Sequence, residues 1–252
     1  MTVNELYAKL DELIPASLLC EWDNDGLMCC PNAQREVRRV LVCLDVTADA
    51  VNKAIDEGFD AIVSHHPFIF KGLKAVTEES FIPKKAIELI RADLSVMSFH
   101  TRLDAVCGGV NDKLASILGL ENVEPFGDGI GRIGELCEVT DAQSFAKKVK
   151  EALGAPAVSL ADSKREIKRV AVLGGSGDDF ISEAIMRSAD AYVSGELGYH
   201  PMTDAPDMGI TLIEAGHFYT EMPVCEVLCD MIKKIDGSVA CEIYDSNRTV
   251  VI

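Results

Sequence analysis

The five histidines of this 252-residue chain all stand close to carboxylates or to one another. His65 and His66 are adjacent. His100 is followed at i+4 by Asp104, and His217 at i+4 by Glu221, while His200 lies four residues after Glu196. Imidazole and carboxylate together suit borderline and harder divalent ions such as Zn, Mn and Fe(II). A carboxylate can also bridge two ions and offset their repulsion. Two ions about 3.5–4 Å apart can activate a water and stabilise a leaving oxygen together. The pattern predicts a dinuclear site with His65, His66 and Asp104 from the first half of the chain and His217 and Glu221 from the second. Glu221 is the bridging carboxylate in this reading. His100 and Glu196 are candidates for proton transfer, and His100 and His200 support the site or face a substrate rather than ligate directly.

Each motif alone is a weak signal, because acids are favoured in the first turn of any helix. Their weight comes from a scaffold that repeats itself. Residues 38–66 and 168–196 align without a gap at an offset of 130, with ten identities in 29 positions, Asp60/Asp190 and Ser64/Ser194 among them. Each copy reads as strand, turn, helix, strand. Val40–Leu44 and Val170–Leu173 are apolar runs of the buried-strand type, and Thr47 and Asp178 are positioned to cap the following helices. The parallel extends further, to strands Leu94–Phe99 and Ile210–Ala215. Helices Val110–Leu118 and Pro223–Lys234 then follow, so the two His-x-x-x-acid motifs are expected at corresponding strand-to-helix junctions.

Alternating strands and helices predict an α/β fold of two similar, duplicated domains with mainly parallel sheets and the metal site between the halves. The Gly-rich segment 124–132 suggests a division near residue 126, giving halves 1–126 and 127–252. A Thr2/Glu5 capping box opens a first helix, and Thr140–Leu153 supplies a similar helix to the second half. Ligands of open α/β sheets sit beyond the carboxyl ends of the strands, where all four histidine clusters fall. Neighbouring strand residues point to opposite faces, so His65 and His66 can work together only if the chain bends there, as Pro67 suggests. Gly174-Gly175-Ser176-Gly177 reads as a tight βα turn, since it lacks the spacing of a dinucleotide fingerprint.

Bulk composition narrows the function. The formal net charge is −17, from 41 acids and 24 bases, and no basic run exceeds two residues. That disfavours nucleic acid, which is held by clustered Lys and Arg. No apolar run approaches the roughly 20 residues of a membrane span, and the N-terminus lacks signal-peptide character. Nine scattered cysteines with no Cys-x-x-Cys pair read as reduced thiols. A cytoplasmic location is expected, with no membrane partner.

The segments WDNDGL (22–27), VSHHPFIFKGLKAV (63–76), SFHTRLDAVCGGVND (98–112), SGELGYH (194–200) and EAGHFYTEMP (214–223) resemble the YbgI-like dinuclear-metal proteins, often labelled GTP cyclohydrolase type 2 homologs. The motifs cover both halves in the family's order. The resemblance implies two similar α/β domains around a two-metal site, assembled as a homo-oligomer, a toroidal hexamer. It places His65, His66, Asp104, His217 and Glu221 on metal-ligand positions, with Glu221 touching both ions. The extra domain that some relatives carry between the halves has no room here.

The expected activity is therefore that of a metal-dependent hydrolase, GTP cyclohydrolase type 2-like by resemblance, acting on a small-molecule substrate through a metal-bound hydroxide. The alternative is a non-catalytic metal-binding scaffold with a regulatory or metal-handling role.

Overall fold

A computed structural model describes residues 1–252, and the chain divides into two compact units. The first opens with α1 (Val3–Leu13). Thr2 caps it through the Glu5 amide, and Glu5 answers through the Thr2 amide. There follow β1 (Gly26–Cys29), β2 (Arg39–Cys43), α2 (Ala48–Asp56), β3 (Ala61–Ser64), α3 (Phe81–Arg91), β4 (Ser95–Ser98) and the short α4 (Thr101–Ala105).

The second unit contains α5 (Val110–Leu118), β5 (Leu120–Phe126), β6 (Gly131–Thr140), α6 (Ala142–Leu153), β7 (Ser159–Ala161), β8 (Ile167–Ser176) and α7 (Ile181–Met186). It continues through β9 (Ala191–Glu196), α8 (Tyr199–Met208), β10 (Thr211–Glu214) and the short α9 (His217–Glu221). The chain then returns to the first unit with α10 (Val224–Ile235) and β11 (Ala240–Tyr244).

The units therefore divide differently from the boundary expected near residue 126: the first comprises 1–106 and 224–248, and 107–223 lie in the second. The physical reason is pairing. β11 joins the first sheet beside β2 in parallel register, Ala240 opposite Arg39 through Tyr244 opposite Cys43. Leu114, Ala115 and Leu118 of α5 pack into the second core with Phe145, Val170 and Val193.

Both sheets share a three-stranded parallel centre. The first runs β1-β4-β3-β2-β11, antiparallel only at β1. The second runs β5-β6-β8-β9-β10-β7, parallel across β8, β9 and β10 and antiparallel outside them. Strands β3 and β4 are buried throughout, as sequences without polar alternation require when both faces are covered. In β8 alternate residues enter two different cores. Val170 and Val172 pack with Phe145 and Ile213, whereas Ala171 and Leu173 pack with Tyr192 and Leu212.

The duplication is visible in hydrogen bonds. Asp60 accepts the backbone N–H groups of Arg38 and Arg39 at 2.8 and 3.0 Å, and Asp190 accepts those of Lys168 and Arg169 at 2.9 and 2.8 Å. Each carboxylate ties the start of one central strand to the start of the next. Thr47 caps α2 through the Ala50 amide, as expected. Asp178 does not cap α7. It sits in a preceding 3-10 turn, where its carboxylate accepts the Gly198 amide at 2.7 Å. Gly174 to Ser176 extend β8 rather than forming the expected turn. No helix is long and apolar enough to cross a membrane.

Candidate metal centre

The histidines and their carboxylates stand at the carboxyl ends of the parallel strands in each unit. In the first unit β3 ends at Ser64 and the chain bends at His65 and His66. The Ser64 hydroxyl donates to the His66 carbonyl at 2.9 Å and pairs with the Ser98 hydroxyl at 2.9 Å, holding the bend. Both imidazoles therefore leave on the same side, with centroids 5.0 Å apart. His100, just past β4, brings its ring within 5.3 Å of His65 and 5.7 Å of His66. Ligand atoms of these three residues all lie within 4.8 Å of one another. Asp104, buried on α4, places Oδ1 3.7 Å from His65 Nε2. In the second unit His217 and Glu221 stand one turn apart on α9, with Nε2 and Oε2 3.0 Å apart. Glu196, at the end of β9, places Oε1 3.3 Å from His217 Nδ1. His200 is exposed on α8 against Tyr199 and joins none of these groups.

The ring contacts select one nitrogen on each imidazole. His65 Nδ1 lies 2.9 Å from the Phe99 carbonyl, which only accepts, so Nδ1 carries the proton and Nε2 keeps the lone pair. His66 Nδ1 meets the Asp45 carboxylate at 2.8 Å, and His100 Nδ1 meets Asp23 at 2.9 Å. His217 Nδ1 faces Glu196 in the same sense. Ligating imidazoles characteristically donate their second N–H to a carbonyl or carboxylate, which fixes ring and tautomer. On this test His65, His66 and His217, with the buried carboxylates of Asp104 and Glu221, fit divalent transition-metal ions.

Glycine makes room for the second cluster. Gly175 has φ +71°, and a Cβ there would fall 2.2 Å from Glu221 Oε1 and 3.3 Å from His217 Nε2. Gly216, at φ +87°, turns the chain into α9, and its added Cβ would meet the Tyr219 ring at 2.9 Å. These two positions shape the cradle that α9 occupies.

The two His-x-x-x-acid motifs occupy the same junction but not the same register. The amide of Phe99 bonds to Ser64 and that of Ala215 to Ser194, both at 2.9 Å, and each five-residue helix begins two residues later. Thr101 is thus the counterpart of His217, and His100 that of Gly216. The two motifs share the expected junction, and within it their histidines are offset by one position.

Sequence reasoning also passed over Asp23, Asp25 and Arg102. The Asp23 carboxylate has no exposed surface, and besides His100 Nδ1 it accepts the amide and hydroxyl of Thr101 at 3.1 and 2.7 Å. Burial pushes its pKa up, but the bonds from His100 and Thr101 outweigh that and hold it at about 2. Asp25 accepts the His100 amide at 2.9 Å. Its carboxyl is raised, because burial and the neighbouring Asp23 prevail over the bonds from the His100 amide and Arg102. Arg102, 1% exposed, joins Asp25, Asp11 and the Ile14 carbonyl at 3.0, 2.6 and 2.9 Å, locking α4 to α1. The available signal was the pair of segments 22–27 and 98–112, quoted above for the family resemblance but with no role given to Asp23, Asp25 or Arg102.

Residues 1–249 match the Duf34/NIF3 (NGG1p interacting factor 3) family. A relative in Clostridium acetobutylicum, "GTP cyclohydrolase 1 type 2 homolog", is 33% identical over 247 residues, covering 94% of this chain and 91% of the relative. The crystal structure of a Staphylococcus aureus hypothetical protein superposes with a TM-score of 0.91 at 27% identity, over 100% of this chain and 99% of that one. The structure of protein ybgI, of unknown function, has the same fold at a TM-score of 0.89 and 22% identity, over 99% of this chain and 100% of ybgI.

Proposed function

Because the chain belongs to the Duf34/NIF3 family, we propose that it is a metal-dependent hydrolase whose dinuclear centre is held by His65, His66, Asp104, His217 and Glu221. The observation that carries this reading is the contact each imidazole makes through Nδ1 with a carbonyl or carboxylate, His65 with Phe99, His66 with Asp45 and His217 with Glu196, the kind of contact that orients metal-ligating histidines. Two divalent ions, of Zn, Fe or Mn type, would supply Lewis acidity and a water of lowered pKa.

The chain's own residues do the rest. His65, His66 and Asp104 would serve as ligands from the first unit and His217 and Glu221 from the second, with Glu221 as the proposed bridging carboxylate. His100, held by Asp23 through Nδ1, takes a proton at Nε2 from the attacking water and returns it to the leaving group. Glu196 acts mainly by orienting His217, with its exposed carboxylate able to pass protons to solvent. The relatives' name supports ring opening of a guanine nucleotide as the reaction to try first. The same reading makes the protein cytoplasmic, which its nine free thiols support, and a homo-oligomer, a toroidal hexamer by resemblance.

The test is Glu221→Gln, measured for metal content and for hydrolysis of GTP and of chromogenic esters and phosphates. The expected result is loss of about one of two metal equivalents per chain and of turnover. Unchanged metal and turnover would reject the proposal. Chelation that unfolds the wild type, with no turnover of any substrate, would favour a structural metal site instead.

A further inference from the structure

The loop that anchors His100 also carries the chain's one tryptophan, and that residue is left 65% exposed. Trp22 does not stand alone. Its ring meets Phe70 at 6.2 Å and 72°, and His100 at 6.2 Å and 79°. Phe70, itself 45% exposed, meets His100 at 6.2 Å and 88°. Three rings, each nearly perpendicular to the other two, form a corner that opens to solvent beside the histidine cluster.

Isolated apolar side chains on a surface need no explanation. This corner differs because both loops are fixed. On one side of Trp22 the buried Asp23 holds His100 and Thr101. The side-chain amide of Asn24, one residue further on, donates to the Ile69 carbonyl at 2.5 Å, next to Phe70. The two loops that carry the rings are thus tied to each other and to the His100 junction, while both rings stay exposed. A preorganised aromatic surface of this kind suits stacking, in which one wall contacts a ring face and another meets its edge.

We propose that Trp22 and Phe70 form the substrate-binding corner of this protein, and that it receives a planar heteroaromatic ring with one edge toward His100. The assignment rests on the hydrolase reading only in making the adjacent histidines the reaction centre. The strong net acidity directs the corner to a single ring compound rather than a nucleic-acid strand.

A single tryptophan makes the test direct. Trp22 emission is titrated with guanosine, adenosine, ribose and tetramethylammonium, in EDTA and again with Zn(II). The same titrations are run on Phe70→Leu, which keeps apolar bulk and removes the ring, with circular dichroism to verify the fold. Expected are saturable quenching by the nucleosides, none by ribose, and affinity weakened about five-fold or more in Phe70→Leu. No saturable quenching by either nucleoside, equal quenching by ribose, tighter binding of tetramethylammonium, or an unaffected Phe70→Leu would each overturn the proposal. Nucleoside quenching in EDTA without turnover in Zn(II) would uphold the corner while removing the hydrolase. Turnover of a purine compound without quenching would do the reverse.

Discussion

Replacing Gly175 with alanine probes whether the second cluster is held where the structure puts it. Two costs arise. Alanine at φ +71° pays about 1–2 kcal/mol for left-handed backbone. Its Cβ would also fall 2.2 Å from Glu221 Oε1, so the carboxylate must swing away. Glu221 has little room for this, because it is 4% exposed and its Cγ already lies close to Gly174. Forcing it off its rotamer adds about 0.5–1.5 kcal/mol. The sum, about 1.5–3.5 kcal/mol, lowers Tm by about 3–14 °C in a chain of this length. Gly154→Ala is the control: φ is +63° there, in the same unit, and an added Cβ meets nothing within 4 Å. It carries the backbone cost alone. Melting temperatures of the two variants will overlap, so the deciding assay is Zn(II) affinity by competition with a chromogenic chelator. Displacing Glu221 is expected to weaken binding about 10- to 100-fold in Gly175→Ala and to leave Gly154→Ala at the wild-type value. Equal affinity in the two variants would refute the reasoning.

Asp23→Asn keeps the shape of the side chain but no longer fixes the His100 tautomer. Metal content is expected to hold while turnover falls at least about tenfold, and unchanged kcat would remove Asp23 as a positioning residue. Arg102→Ala leaves the Asp25 carboxylate buried without its guanidinium, so urea unfolding should show a loss of about 3–5 kcal/mol; a loss under 1 kcal/mol would contradict the buried network. Asp60 is held below the usual carboxylate range, because the amides of Arg38 and Arg39 and the Arg35 guanidinium outweigh its burial. A depressed folded pKa stabilises fully above the unfolded value of about 4 and is lost as pH falls through the folded value. Asp60→Asn should therefore lower stability at pH 7 and flatten its decline below pH 4. Parallel wild-type and variant curves would count against this.

The parallel centres were legible because buried β-type runs recur at a fixed offset, and Asp60 and Asp190 repeat the same strand-tying bonds. The histidines and acids of the site were legible by type and spacing. The five-residue helices α4 and α9 were not, since they are too short to show a helical period, and without them the one-residue offset between His100 and His217 is invisible. The return of α10 and β11 to the first sheet is a long-range pairing that no local pattern encodes. Asp23 and Asp25 acquire their meaning only when residues 75 to 78 positions away fold against them.

The central claim is that this chain holds two metal ions through histidines and carboxylates from both halves. Elemental analysis of freshly purified, untagged wild type beside His217→Ala tests it most directly. The account predicts about two equivalents of transition metal per chain, falling clearly in the variant. A wild type without metal that also fails to take up added Zn(II), Mn(II) or Fe(II) would contradict it.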